Sequence, residues 1–174
     1  MTSAVRPWGF AVAALVFVLD QAIKLAVTGP LHLDYNGAVL KILPIFNLRF
    51  VANIGVSLGL LQASSAASRW ALVALTAAIA IGVTIWLLRE KARADVIALG
   101  MVLGGALGNI LDRVRLGYVV DYADLHFGEW RPFLVFNLGD AAITIGVLIL
   151  LARALLARGD KPKAARASVE NTNA

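Results

Sequence analysis

The sequence contains no cysteine, which excludes disulfides and thiolate metal sites. Histidine is nearly absent as well: His32 and His126 are the two in the chain. That inventory argues against a zinc protease or a histidine-based triad, and no His/Cys cluster implies a metal. Charge is also scarce. Asp, Glu, Lys and Arg make up 16% of the 174 residues, against roughly 25% in a soluble domain. What is present instead is apolar. The chain is 60% hydrophobic, and these residues fall into long runs, the pattern that a bilayer solvent demands. The net charge of +5 sits beside the apolar spans, so it reads as membrane orientation and not as nucleic-acid binding.

Four runs are long enough to cross hydrocarbon of about 30 Å. They cover about 8–27, 69–88, 95–111 and 136–156. The first has a signal-peptide-like start after Arg6, but Asp20, Gln21 and Lys24 interrupt its far end and no clean cleavage site follows. It is read as a retained helix. Between the first two spans, residues 28–68 mix β-branched, aromatic and polar residues. They predict short strands outside the hydrocarbon. Residues 112–135 form a second extramembrane loop, where His126, Trp130 and Phe133 suit a lipid interface better than a lid. The fold class is therefore mainly α: an integral four-transmembrane-helix bundle with a small β-rich segment on its outer side. Residues 1–156 form one membrane-embedded domain, and 157–174 read as a disordered cytoplasmic tail.

Basic residues set the orientation. Arg6, Arg89, Lys91, Arg93, Arg153, Arg158, Lys161, Lys163 and Arg166 gather in a short turn and at the two chain ends. The positive-inside rule puts both termini in the cytoplasm and both long loops outside.

The polar residues of the spans collect at the outer ends. Asp20 and Lys24 are four apart and share a helix face. Asn109, Asp112 and Arg113 sit at the end of the third span, and Asn137 and Asp140 at the start of the fourth. Charges at such depth face a bundle interior or a wet cavity, so three helices point at one shared cavity. Gly100, Gly104 and Gly108 repeat every four residues and allow close helix approach. An ion pathway would also place carboxylates and cations in a membrane, but no inverted repeat is evident. A non-catalytic scaffold is the other rival.

The blocks Asp20-Gln21-x-x-Lys24, Asn53-Ile54-Gly55, Gly104-Gly105-Ala106-Leu107-Gly108-Asn109-x-x-Asp112-Arg113, Val119-Val120-Asp121-Tyr122 and Phe136-Asn137-Leu138-Gly139-Asp140 resemble, in order and spacing, those of the lipoprotein signal peptidases (signal peptidase II). Gly139 stands where the family pattern has alanine, and Leu58 where it often has phenylalanine. The resemblance implies a single peptidase domain and an aspartic endopeptidase with Asp121 and Asp140 as its catalytic pair. Two close carboxylates cannot both ionise, so one keeps a proton to polarise the scissile carbonyl while the other takes a proton from water. Asn53, Gly55, Asn109, Arg113 and Asn137 are expected to bind substrate or support the pair. Asp20, Lys24 and Asp112 are expected to be structural at the cavity edge, with Asp112 partnering Arg113 and also facing other cations. Asp124, three residues past Asp121, is the alternative partner and reads as a surface residue.

By the same resemblance, the substrate is a bacterial prolipoprotein cleaved just before a diacylglyceryl-modified cysteine. Membrane lipid is a partner and nucleic acid is not. Peptide antibiotics of the globomycin type are expected inhibitors. No cofactor is implied, and the chain is expected to act as a monomer. The implied location is the bacterial inner membrane, with the site facing the periplasm.

Overall fold

The computed structural model describes residues 5–55 and 66–159. The expectation of a disordered tail over 157–174 falls mostly outside these residues. Four helices cross in alternating directions: α1 (Arg6–Thr28), α2 (Ala66–Arg89), α3 (Arg93–Arg115) and α4 (Leu138–Gly159). All four are long and apolar enough to cross a membrane. A sheet of three antiparallel strands, β1 (Val39–Leu43), β2 (Phe46–Asn53) and β3 (Val119–Leu125), lies at the end of the bundle where α1 and α3 finish and α4 begins.

Helix α3 is the central element. Its most apolar stretch is 56% buried, against 22%, 17% and 17% for α1, α2 and α4. The glycines read from the sequence explain how three helices fit around it. A Cβ at Gly100 would overlap the carbonyl oxygen of Gly9, and one at Gly104 the carbonyl oxygen of Ala13. Both contacts bring α1 against α3 at backbone distance. Large side chains elsewhere, such as Leu15, Val18, Ile81 and Leu148, point away from the bundle and are exposed. Lipid is the matching solvent for that surface. Gly104→Leu is therefore expected to destabilise the folded protein by roughly 1–3 kcal/mol or more. Gly82→Ala on α2, where nothing lies within 4 Å, should leave the melting temperature in detergent unchanged or raised.

The sheet grows from short-range pairing. Strands β1 and β2 form a hairpin with Lys41 opposite Asn47, and β2 pairs β3 with Asn53 opposite Val119. Every residue of β1 is exposed, whereas β3 is buried from Val119 to Asp124. Val27, Leu33, Phe50, Val120 and Tyr122 form the core beneath it. The chain then returns beside β3. Phe136 exchanges backbone hydrogen bonds with Ala123 (3.1 and 2.7 Å), which fixes the entry into α4.

Two boundaries differ from the sequence reading. Helix α3 continues through Arg115, beyond the expected end near 111, and carries Asp112 and Arg113 with Asn109. The Asp112 charge finds a buried ammonium partner, described below, so the helix does not have to end to expose it. Residues 119–125 form a strand where a loop was expected.

Candidate active site

Asp121 lies on β3 and Asp140 in the first turn of α4. Asn137 joins them. Its side-chain amide donates to Asp121 Oδ1 at 2.6 Å, and its carbonyl oxygen accepts the Asp140 backbone N–H at 2.9 Å. In return the Asn137 backbone N–H donates to Asp140 Oδ2 at 3.2 Å. This is a reciprocal N-terminal cap, with Asn at the cap and Asp three residues on. One buried asparagine thus starts α4 and holds both carboxylates. Asp140 is thus a helix N-terminal carboxylate, and it lies near enough to Asp121 to act on it electrostatically.

Two further amides reach the other oxygen of Asp121 and Asp140 Oδ1. Asn53 Nδ2 donates to Asp121 Oδ2 (2.9 Å), and Asn109 Nδ2 donates to Asp140 Oδ1 (2.8 Å). Asn53 also turns the chain, since its carbonyl oxygen accepts the Gly55 N–H at 3.1 Å. Arg113 donates from Nη2 to the Gly55 carbonyl (3.1 Å) and from Nη1 to the Asn109 carbonyl (3.5 Å). Its buried Nε has no hydrogen-bond partner among the described residues. All seven residues expected at the site, Asn53, Gly55, Asn109, Arg113, Asp121, Asn137 and Asp140, therefore meet at one place.

Three other expectations need correction. Asp112 does not pair with Arg113. It bonds Lys24 Nζ at 2.8 Å and Gln21 Nε2 at 3.1 Å, while Arg113 points toward Gly55. Adjacent helical residues diverge by about 100°, so they cannot share a partner face. Asp20, Lys24 and Asp112 are not at a cavity edge either: they are 0%, 4% and 3% exposed. Asp124 is buried and not on the surface, and it is held by Arg131 (3.1 Å) and more loosely by Arg49 (3.9 Å). His126 bonds Asn47 (2.8 Å), and Trp130 and Phe133 are exposed. Gln21 is the polar residue whose part was missed. It reaches Asp20, Asp112 and the Gly108 carbonyl. Its place beside Asp20 in the first motif was the available signal.

Burial pushes the Asp121 carboxyl up to about 7, and the nearby Asp140 carboxylate adds to it, against the opposing amide hydrogen bonds. Tyr122, raised to about 12 by burial, stays a neutral phenol whose oxygen accepts the Leu138 N–H at 3.1 Å. The Asp121 shift links to stability. An acid whose folded pKa exceeds its unfolded value of 3.8 contributes stability below pH 4 that is lost as pH rises to about 7. Asn does not titrate. The melting temperature of Asp121→Asn relative to the parent should therefore climb across that window and level off above it. The upper bound is roughly 4 kcal/mol, reduced because the new amide must meet two amide donors.

An open cleft of about 660 Å³ runs beside Asp140, lined by the 132–136 segment and by Ala141, Ile143, Thr144 and Ile145 of α4. Asp140 is the one charged residue among the described residues that line it. A groove of about 760 Å³ among α1, α2 and α3 is lined, among the described residues, by no titratable side chain, so these residues offer lipid contact and no acid–base chemistry.

Four spans, a sheet across one end and two amide-gripped carboxylates meeting below it define a membrane enzyme. The chain belongs to the signal peptidase II family: the family described as "Signal peptidase (SPase) II" matches residues 12–156. It is 60% identical over 156 residues to a lipoprotein signal peptidase of Rhizorhabdus wittichii, covering 90% of each chain. A lipoprotein signal peptidase of Sphingopyxis alaskensis is 52% identical, with 90% of this chain and 91% of the relative covered. Among solved structures, a bacterial membrane enzyme determined by the in meso method aligns with a TM-score of 0.78 at 25% identity, covering 89% of this chain and 92% of the other. The family read from the motifs is thereby borne out, and the protein is a membrane-embedded protease.

Proposed function

We propose that Asp121 and Asp140 are the catalytic dyad with which this chain cleaves signal peptides from diacylglyceryl-modified prolipoproteins, just before the lipidated cysteine. The observation that carries the reading is the grip of Asn137 on both carboxylates. A water between the pair gives a proton to the ionised carboxylate as its oxygen attacks the scissile carbonyl. The protonated partner donates to the carbonyl oxygen. Collapse of the tetrahedral intermediate breaks the C–N bond and passes a proton to the leaving amine. The pair titrates as a unit, so neither residue is assigned base or acid alone.

Asn53, Asn109, Asn137 and Arg113 serve as donors around the reaction. The apolar cleft at Asp140 fits a substrate delivered from the bilayer. We further propose that both termini are cytoplasmic and that the sheet faces the periplasm across the inner membrane. The protein would work as a monomer, in contact with membrane lipid, and would be blocked by globomycin-type peptides.

Two experiments test this. Purified protein should cleave a diacylglyceryl-cysteine precursor and leave the unlipidated precursor intact. The natural absence of cysteine permits clean labelling of single-cysteine variants. In intact spheroplasts, Tyr35→Cys should react with a membrane-impermeant maleimide and Lys91→Cys should not. The reverse pattern would invert the topology.

A further inference from the structure

Asp20, Lys24 and Asp112 form a buried cluster and are not among the described residues that line the cleft. Asp20 Oδ1 accepts the backbone N–H of Gly139 at 2.9 Å, and Asp112 Oδ2 accepts that of Val120 at 3.2 Å. Gly139 immediately precedes Asp140, and Val120 immediately precedes Asp121. Each buried carboxylate therefore grips the backbone one residue ahead of one member of the dyad. Lys24 links the two grips. Its Nζ lies 2.7 Å from Asp20 Oδ2 and 2.8 Å from Asp112 Oδ2, and it donates to Asn109 Oδ1 at 3.1 Å.

An ammonium has three donors and no acceptor, so all three are used. The third contact fixes which way the Asn109 amide points. With its oxygen on Lys24, its NH2 must face Asp140. Gln21 adds a neutral link between the two carboxylates (3.2 and 3.1 Å). Gly108 leaves the space, since a Cβ there would overlap the Asp20 carboxylate.

We propose that the Asp20–Lys24–Asp112 bridge is a positioning element that sets the separation and orientation of Asp121 and Asp140. This rests on the proposed dyad. A bridge that only stabilises the fold would change yield and melting temperature. A bridge that sets the dyad changes turnover by the molecules that do fold.

The test uses the full chain in detergent and a synthetic precursor carrying diacylglyceryl-cysteine. Turnover, KM and the pH profile are measured per folded molecule, together with hydrogen exchange at the Val120 and Gly139 amides. Asp112→Ala should speed exchange at Val120 and shift the pH profile, and it should lower kcat about 100-fold with KM nearly constant, the loss typical of slight misplacement. Asp112→Asn keeps an oxygen for Val120 and Lys24, and should recover kcat to within about tenfold of the parent. Parent-like kcat and pH profile in folded Asp112→Ala would overturn the proposal. If that variant does not fold, Gln21→Ala decides. Slower turnover with faster exchange at the two amides supports the bridge, and unchanged turnover overturns it. A parent protein that cleaves no lipidated precursor would overturn the proposed function instead, a result that the exchange data cannot mimic.

Discussion

Asp121→Asn and Asp140→Asn should each cut precursor cleavage by about 10²–10⁴-fold, the range set by loss of a positioned acid–base group. The double variant should be no worse than either single one, because the two carboxylates act as one proton-sharing unit and such losses are not additive. KM should change little, since the substrate's apolar contacts remain. Size-exclusion behaviour and helical content should stay those of the parent. Asp124→Asn is the control. It weakens the ion pair between buried Asp124 and exposed Arg131, so stability should fall, but folded molecules should keep substantial turnover. Loss of turnover in Asp124→Asn with retention in Asp140→Asn would reassign the pair.

Replacing Asn137 should have the next largest effect. Asn137→Ala removes the 2.6 Å donor to Asp121 and the cap on Asp140 together. Loss of the cap alone costs about 1 kcal/mol. The unsatisfied Asp121 oxygen and the unfixed Asp140 side chain should lower kcat by about 10²–10³-fold. Asn137→Asp should not restore activity. It keeps an acceptor for the Asp140 N–H but places a third carboxylate where a donor is required. Asn137→Ser should do better on stability than on rate, because a hydroxyl caps the helix yet is too short to reach Asp121. Rates measured beside thermal melts separate the two roles.

The spans were legible in the sequence because hydrocarbon tolerates only long apolar segments, and Trp8 to Val27 or Phe136 to Leu156 cannot be read as soluble elements. Lys24 with Asp20 was legible from helical spacing. The partner of Asp112 was not. Lys24 lies 88 positions away in sequence (112 − 24), and nothing local distinguishes it from Arg113 as the cation that Asp112 needs. Strand β3 was missed because it is buried from Val119 to Asp124, so it lacks the alternation that marks a half-exposed strand. The burial of Asp124 is not legible for a related reason. A loop carboxylate is exposed by default, and the arginines that bury it come from β2 and from the segment after β3. The motif residues came together as expected, but Asn137 as the element joining the dyad emerged only with the geometry of the α4 cap.

The central claim is that Asp121 and Asp140 are one coupled pair. The direct measurement is titration of the Asp121 carboxyl, by its carbon chemical shift in selectively labelled protein, in the parent and in Asp140→Asn. The account predicts a midpoint near 7 in the parent. It predicts a lower midpoint in Asp140→Asn, still above the ordinary carboxylate range because burial remains. A parent midpoint near 4, unmoved by Asp140→Asn, would contradict it.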